Sequence, residues 1–126
     1  MPGVVYDTGA LLAAERNDPQ LLVIHRRLLS QRLQPVVPAV VLAQAWRGGP
    51  QPRMSLVLKG CTIAPDSELV ARAAGALCAL SGTGDVVDAI VVITAGRSGS
   101  TIITSDPDDI RHLADVLRIK PTIFGI

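Results

Sequence analysis

The sequence predicts an α/β fold built on a parallel sheet with helices on both faces. Five short apolar runs alternate with segments whose apolar residues recur at helical spacing, the pattern of successive strand–helix units. Hydrophobic residues make up 48% of the chain and are mostly Ala, Val, Leu and Ile, which suits strands buried on both faces. Carboxylates stand where two of the apolar runs end, at Asp7 and Asp106. At 126 residues the length fits a single domain spanning 1–126, with no repeat, linker or low-complexity segment.

Taken in order, Gly3 to Tyr6 forms a first strand and Thr8 to Glu15 a first helix. A second helix runs to Ser30, opened by Asp18 as a cap and Pro19 at its first position. Pro35 to Val37 is a second strand. Pro38 to Trp46 reads as a helix whose inner face is Val41, Leu42 and Ala45, broken at Gly48-Gly49-Pro50, and a further helix covers Pro52 to Leu58. After a third strand at Cys61 to Ala64, Asp66 is expected to cap a long helix carrying Leu69, Val70, Ala73, Leu77 and Leu80 on its apolar face, stopped at Ser81-Gly82-Thr83-Gly84. A helix from about Val86 to Arg97, a strand at Thr101 to Thr104, a helix from Pro107 to Leu117 and a strand at Thr122 to Gly125 complete the chain.

Composition narrows the function classes. A net charge of +1 creates no global field for nucleic acid, and three aromatics, Tyr6, Trp46 and Phe124, are too few for a base-stacking platform. Arg26, Arg27 and Arg32 on one segment and Arg47 and Arg53 on another fit solvated helix faces, or contacts to phosphate or an acidic partner. Cys61 and Cys78 lack zinc spacing and read as reduced core thiols. The apolar stretches are too short to span a bilayer, and no secretory signal is read at the N-terminus, so a cytoplasmic protein is expected. The sequence has no Walker A pattern, G-x-S-x-G elbow or H-E-x-x-H, and Gly82-Thr83-Gly84 is a turn without the third glycine of a dinucleotide loop. His25 and His112 are expected as surface or capping residues.

The acids remain. Six of the eleven, Asp7, Asp85, Asp88, Asp106, Asp108 and Asp109, fall at three places in the chain. In an open α/β sheet, ligands bind outside the carboxyl ends of the strands where strand order reverses, so acids at two strand ends can converge. Asp7 and Asp106 could each simply cap the helix that follows. Asp88, read as one turn inside an apolar helix, is not explained by capping, because an unpaired carboxylate there is costly. Clustered carboxylates repel unless a cation or protons neutralise them, and oxygen ligands suit a hard divalent ion.

These residues carry a resemblance. Val4-Val5-Tyr6-Asp7-Thr8-Gly9-Ala10-Leu11, Val37-Pro38-Ala39-Val40-Val41-Leu42-Ala43, Asp88-Ala89-Ile90-Val91 and Ile103-Thr104-Ser105-Asp106 match PIN domains in order and spacing, and the chain resembles the VapC-type toxins of that superfamily over essentially its full length. The resemblance implies a three-layer α/β/α sandwich with a five-stranded parallel sheet. It also implies a metal-dependent endoribonuclease neutralised by a VapB-type antitoxin, commonly as a homodimer. On that analogy Asp7, Asp88 and Asp106 are the catalytic acids, and with Asp108 they hold Mg²⁺ or Mn²⁺. Thr104 and Ser105 orient the ligands, and Asp85 is an auxiliary acid.

One position departs from the pattern. The family carries a glutamate on the third helix where this chain has Gln44. An amide oxygen can ligate a metal but brings no charge and accepts no proton usefully, so metal affinity and water activation should fall. A weakened enzyme, a module that mainly binds its antitoxin, and an engineered inactive form all fit this change. For the binding module, Leu11, Leu12, Leu21, Leu22 and Ile24 could line a partner groove, although ordinary core explains them as well. A Mg²⁺-dependent phosphotransfer protein also uses strand-end aspartates. The dehalogenase pattern, however, wants a second Asp where Gly9 stands, and a receiver wants an acid pair at the first strand.

Overall fold

The computed structural model describes residues 3–126. In chain order the elements are β1 (Val4–Tyr6), α1 (Thr8–Glu15), α2 (Pro19–Ser30), β2 (Val36–Pro38), α3 (Ala39–Ala45), α4 (Pro52–Leu58), β3 (Thr62–Ala64), α5 (Glu68–Ser81), α6 (Val86–Ser98), β4 (Thr101–Thr104), α7 (Pro107–Val116) and β5 (Ile123–Gly125). The predicted elements therefore all form, with ends moved by one or two residues. Asp18 caps α2 as expected, its Oδ1 accepting the Leu21 N–H at 3.1 Å.

The five strands are parallel, in the order β3-β2-β1-β4-β5. The register sets Val5 beside Val36 and Tyr6 beside Ile103. From β1 the chain steps outward to β2 and β3 on one side, then returns to lay β4 and β5 on the other, so strand order reverses between β1 and β4. Helices cover both faces in a three-layer α/β/α arrangement. α1 packs on β1 and β4 and against α2, α3 and α4, while α6 packs on β1, β2 and β4 between α5 and α7. Val5, Tyr6, Ile102 and Ile103 are accordingly buried whichever way they point. α6 is apolar almost all round because it lies inside, burying Ala89, Ile90, Val91, Val92, Ile93 and Ala95. Among the described residues no single helix is long and apolar enough to cross a membrane.

Several expectations are corrected by tertiary contacts. Ser67, not Asp66, caps α5, its hydroxyl accepting the Val70 N–H. Asp66 turns instead to α3, accepting the Val40 N–H at 2.7 Å. The reason is that α3 begins after Pro38, which has no side-chain acceptor to offer its own helix. On α5 the buried residues are Val70, Ala74 and Leu77, whereas Leu69 is 67% and Leu80 76% exposed. That helix crosses its neighbours on a narrower stripe than its leucines suggest. Of the leucines considered for a partner groove, Leu11 and Leu21 are core, Leu12 is exposed, and Leu22 and Ile24 are half-buried against the core.

His25 is also not a surface residue. It is buried, and its Nδ1 shares a 2.9 Å hydrogen bond with the Tyr6 hydroxyl. Gly60 makes the room: a Cβ there would lie 3.2 Å from His25 Nε2. Burial lowers the His25 pKa, and burial, aided by the neighbouring Cys61 thiol, pushes the Tyr6 hydroxyl well above its ordinary value. Both groups are therefore neutral partners at physiological pH. Tyr6→Phe would leave the ring nitrogen buried without its partner, and should cost about 1–3 kcal/mol of unfolding free energy in urea titrations. A loss below about 0.5 kcal/mol would mean the Tyr6–His25 bond contributes little to stability.

Candidate functional site

The residues singled out in the sequence gather at the carboxyl ends of β1 and β4. Asp7 follows β1 directly and is only 3% exposed. Its backbone N–H continues the strand ladder to the Ile103 carbonyl at 3.2 Å, and its Oδ1 accepts the Ala10 N–H at 2.8 Å. Asp7 thus does cap α1. Capping does not fill both of its oxygens, however, and burial raises its pKa. The Thr104 hydroxyl and the N–H groups of Ala10 and Ser105 pull it back down, and the charge of Asp106 pushes it up again.

Asp106 behaves differently. It sits at the start of α7 but makes no side-chain cap bond. Its backbone N–H is taken by the Thr104 hydroxyl oxygen at 2.9 Å, which leaves the exposed carboxylate free to turn. Thr104, fully buried, accepts the Asp106 N–H through its hydroxyl and lies close enough to Asp7 to hold that carboxyl's pKa down. Ser105 lies against Gly9, where a Cβ would fall 1.8 Å from the Ser105 Oγ and 2.5 Å from its Cβ. Only glycine allows the start of α1 to meet the loop between β4 and α7 this closely.

Asp88 stands in the first turn of α6, not one turn further in as expected. A first-turn acid is ordinarily favoured by the helix dipole. Here its pKa rises from 3.8 to about 7, through burial, then the charge and hydrogen bond of Asp85, then the charges of Asp7 and Asp106. Asp85 caps α6, its Oδ1 accepting the Asp88 N–H at 3.0 Å. Four acids from three separate stretches of chain therefore share one field. Asp108 and Asp109 are exposed on the first turn of α7, and Asp109 lines a cleft of about 180 Å³ with Thr83, Asp85, Asp88, His112 and Leu113.

Gln44, exposed near the end of α3, reaches the same rim: its Oε1 accepts the hydroxyl of Thr8, the residue after Asp7. Sequence reasoning missed Thr8 as a participant, and only the family position of Gln44 could have hinted at it. Two larger clefts lie away from the acids, one of about 450 Å³ between α2 and α4 and another of about 380 Å³ beside Trp46.

Asp7, Asp88 and Asp106 offer only oxygen donors, which suit a hard ion such as Mg²⁺ or Mn²⁺. Their uncompensated charge is the observation that favours a cation. Yet among the described residues no three Asp, Glu, His or Cys side chains stand close enough together to ligate one ion. A cation at this rim would have to keep much of its water and take one or two carboxylates directly, as Mg²⁺ commonly does.

Asp88 holds its proton more tightly folded than unfolded, so between its ordinary pKa of 3.8 and about 7 the native state binds more protons, and stability falls as pH rises. In metal-free buffer Asp88→Asn, which mimics the protonated acid, should match wild type at about pH 3 and melt above it at about pH 8. A melting difference that does not change with pH would show that the acids do not repel one another.

No family profile matches the chain, and no curated protein matches it in sequence. Solved structures do match in shape. PAE2754 from Pyrobaculum aerophilum superposes with a TM-score of 0.66 at 16% identity, covering 98% of this chain and 83% of that one. A chain of VapBC2 from Rickettsia felis, bound to a DNA fragment from their promoter, superposes with a TM-score of 0.68 at 17% identity, covering 97% of this chain and 96% of that one. At this level of identity the likeness is one of architecture: the chain shares its three-layer α/β/α fold with both structures.

Proposed function

We propose that the chain is a VapC-type PIN domain, the toxin of a toxin–antitoxin pair, acting in the cytoplasm as a Mg²⁺- or Mn²⁺-dependent endoribonuclease that a VapB-type antitoxin neutralises. The observation that carries the reading is the gathering of Asp7, Asp88 and Asp106 at the strand-order reversal of a fold shared with a VapBC2 chain. The antitoxin partner rests on that same structural likeness, and a homodimer is a family expectation.

In this reading Asp7, Asp88 and Asp106 hold the cation, directly or through water, and Asp108 adds an outer acid at the start of α7. When bound, the ion would lower the pKa of a water and neutralise charge on the phosphate under attack. The chain's own residues do the rest. Thr104 holds the backbone of Asp106 through its hydroxyl. One carboxylate of the group takes the proton from the attacking water, which displaces the ribose 3′-oxygen from a phosphodiester in line, leaving a 5′-phosphate and a 3′-hydroxyl. Exposed arginines, Arg26 and Arg27 on α2, Arg53 on α4, and Arg32 and Arg47 just past the ends of α2 and α3, meet RNA phosphates, since the chain lacks an aromatic platform.

A second reading, an attenuated domain that chiefly binds its antitoxin, is favoured by one specific contact. Gln44 brings no charge, and its amide oxygen is already occupied by the Thr8 hydroxyl. One lone pair of that oxygen is taken, and the amide group brings two N–H donors that suit phosphate where a glutamate would bring a second charged oxygen for a metal.

Asp7→Asn and Asp88→Asn should abolish Mg²⁺-dependent RNA cleavage while leaving the circular dichroism spectrum unchanged. Asn caps a helix about as well as Asp, so the Asp7 change does not remove the start of α1. Undiminished cleavage by either variant takes that residue out of the mechanism. Gln44→Glu should tighten Mn²⁺ binding and raise cleavage by about tenfold or more, the usual scale of a ligand-shell change. Equal Mn²⁺ titration curves for the two forms would rule out attenuation by Gln44.

A further inference from the structure

The cleft of about 450 Å³ between α2 and α4 has His25 in its lining, a residue only 6% exposed. One ring nitrogen, Nδ1, meets the Tyr6 hydroxyl at 2.9 Å. Tyr6 is fully buried and keeps its proton well above its ordinary pKa, so its O–H has to be donated, and Nδ1 is the one acceptor that the described residues give it. A neutral imidazole that accepts at Nδ1 carries its own hydrogen on Nε2, and burial keeps this ring neutral. The Tyr6 contact therefore fixes which nitrogen is the donor.

That donor is not used by the chain. The described residues give Nε2 no hydrogen bond, and no enclosed side-chain nitrogen or oxygen among them lacks a partner, so the Nε2–H opens onto the cleft that His25 lines. Gly60, just past α4, keeps it open. It is not one of the left-handed glycines, so what its missing side chain supplies is space: a Cβ there would lie 3.2 Å from Nε2 and 3.0 Å from each Leu29 methyl carbon. The other groups around the cleft define what the donor can meet. Leu22, Leu29 and Val57 form apolar walls, and Arg26 from α2 and Arg53 from α4 bring two guanidinium groups. Among the described residues the one ion pair joins Arg72 to Glu68, so neither arginine is neutralised by a carboxylate of the chain.

We propose that this cleft binds a small amphipathic carboxylate: its oxygens accept the His25 Nε2–H and pair with Arg26 or Arg53, while its apolar body lies on Leu22, Leu29 and Val57. Small-molecule sites are commonly apolar hollows of about 300–1,000 Å³ with a few convergent polar groups, which is the make-up here. One N–H and one guanidinium match the two oxygens of a carboxylate, whereas a phosphate would turn a further charged oxygen to the leucine walls without a partner. None of the acids at the ends of β1 and β4 lines the cleft, so the inference stands apart from the metal-site reading. While the cleft is filled, RNA contact is left to the arginines outside it.

Octanoate serves as the probe, with 1-octanol as its uncharged counterpart and inorganic phosphate as the bare anion. Binding to the full chain is followed by titration calorimetry and by the ¹⁵N resonance of His25 Nε2. Octanoate is expected to bind about tenfold or more tighter than either control and to move that resonance. Arg53→Met keeps the apolar stem and should weaken octanoate about tenfold without changing 1-octanol binding. Gly60→Ala, which covers Nε2, should leave the resonance unmoved by octanoate. The proposal is overturned if 1-octanol binds wild type as tightly as octanoate, or if octanoate fails to shift the wild-type Nε2 signal. It is equally overturned if phosphate alone, or an acidic amphipathic peptide in place of octanoate, produces the shift. None of these readouts involves RNA cleavage or a metal, so their failure leaves the nuclease reading standing.

Discussion

The pairing of β1 with β4 is the constraint on which the rest depends. Both strands are buried on two faces, and their register fixes Tyr6 beside Ile103. One residue beyond that pair, Asp7 continues the ladder by its N–H, and on the other strand Thr104, also one residue beyond, is followed by the loop that delivers Asp106. The apolar side chains that hold these strands together thus supply the free energy that keeps like charges near one another. An acidic site of this kind cannot relax by spreading, because each acid is attached to an element that the core holds in place. What remains for the acids is to take up protons, as the raised pKa of Asp88 shows, or to attract a counter-charge.

The two ends of the site are held with unequal firmness. Asp7 is enclosed and accepts the Ala10 N–H, whereas Asp106 is exposed and makes no side-chain cap bond; Asp85 follows a glycine-bearing turn, and Asp88 lies in the first turn of the buried helix α6. Gln44 stands on the Asp7 side, joined to Thr8.

Much of this was legible in the sequence where local chemistry and tertiary structure agree. Strand-end acids, Pro19 after Asp18, and the alternation of apolar runs with helical stretches specify elements without knowledge of neighbours, and all of these elements form. Legibility stopped where a residue serves a distant segment. Asp66 looks like a cap for the helix just after it but caps α3 across the molecule; His25 looks like part of an arginine-rich surface but is drawn inward by Tyr6. Leu69 and Leu80 have helical spacing yet face solvent, because spacing alone does not say how wide a stripe the neighbouring helices cover. Thr8 gave no signal at all, since its meaning lies in a contact with a side chain 36 residues away.

The sheet ends on either side in β3 and β5, each of only three residues. Strands so brief expose few unpaired peptide groups, and growth of the sheet from one molecule into another is correspondingly disfavoured. Apolar side chains stand clear of the interior on the outer helices, Leu56 on α4 and Leu69 and Leu80 on α5, and to a lesser extent on the edge strands, Ile63 on β3 and Phe124 on β5.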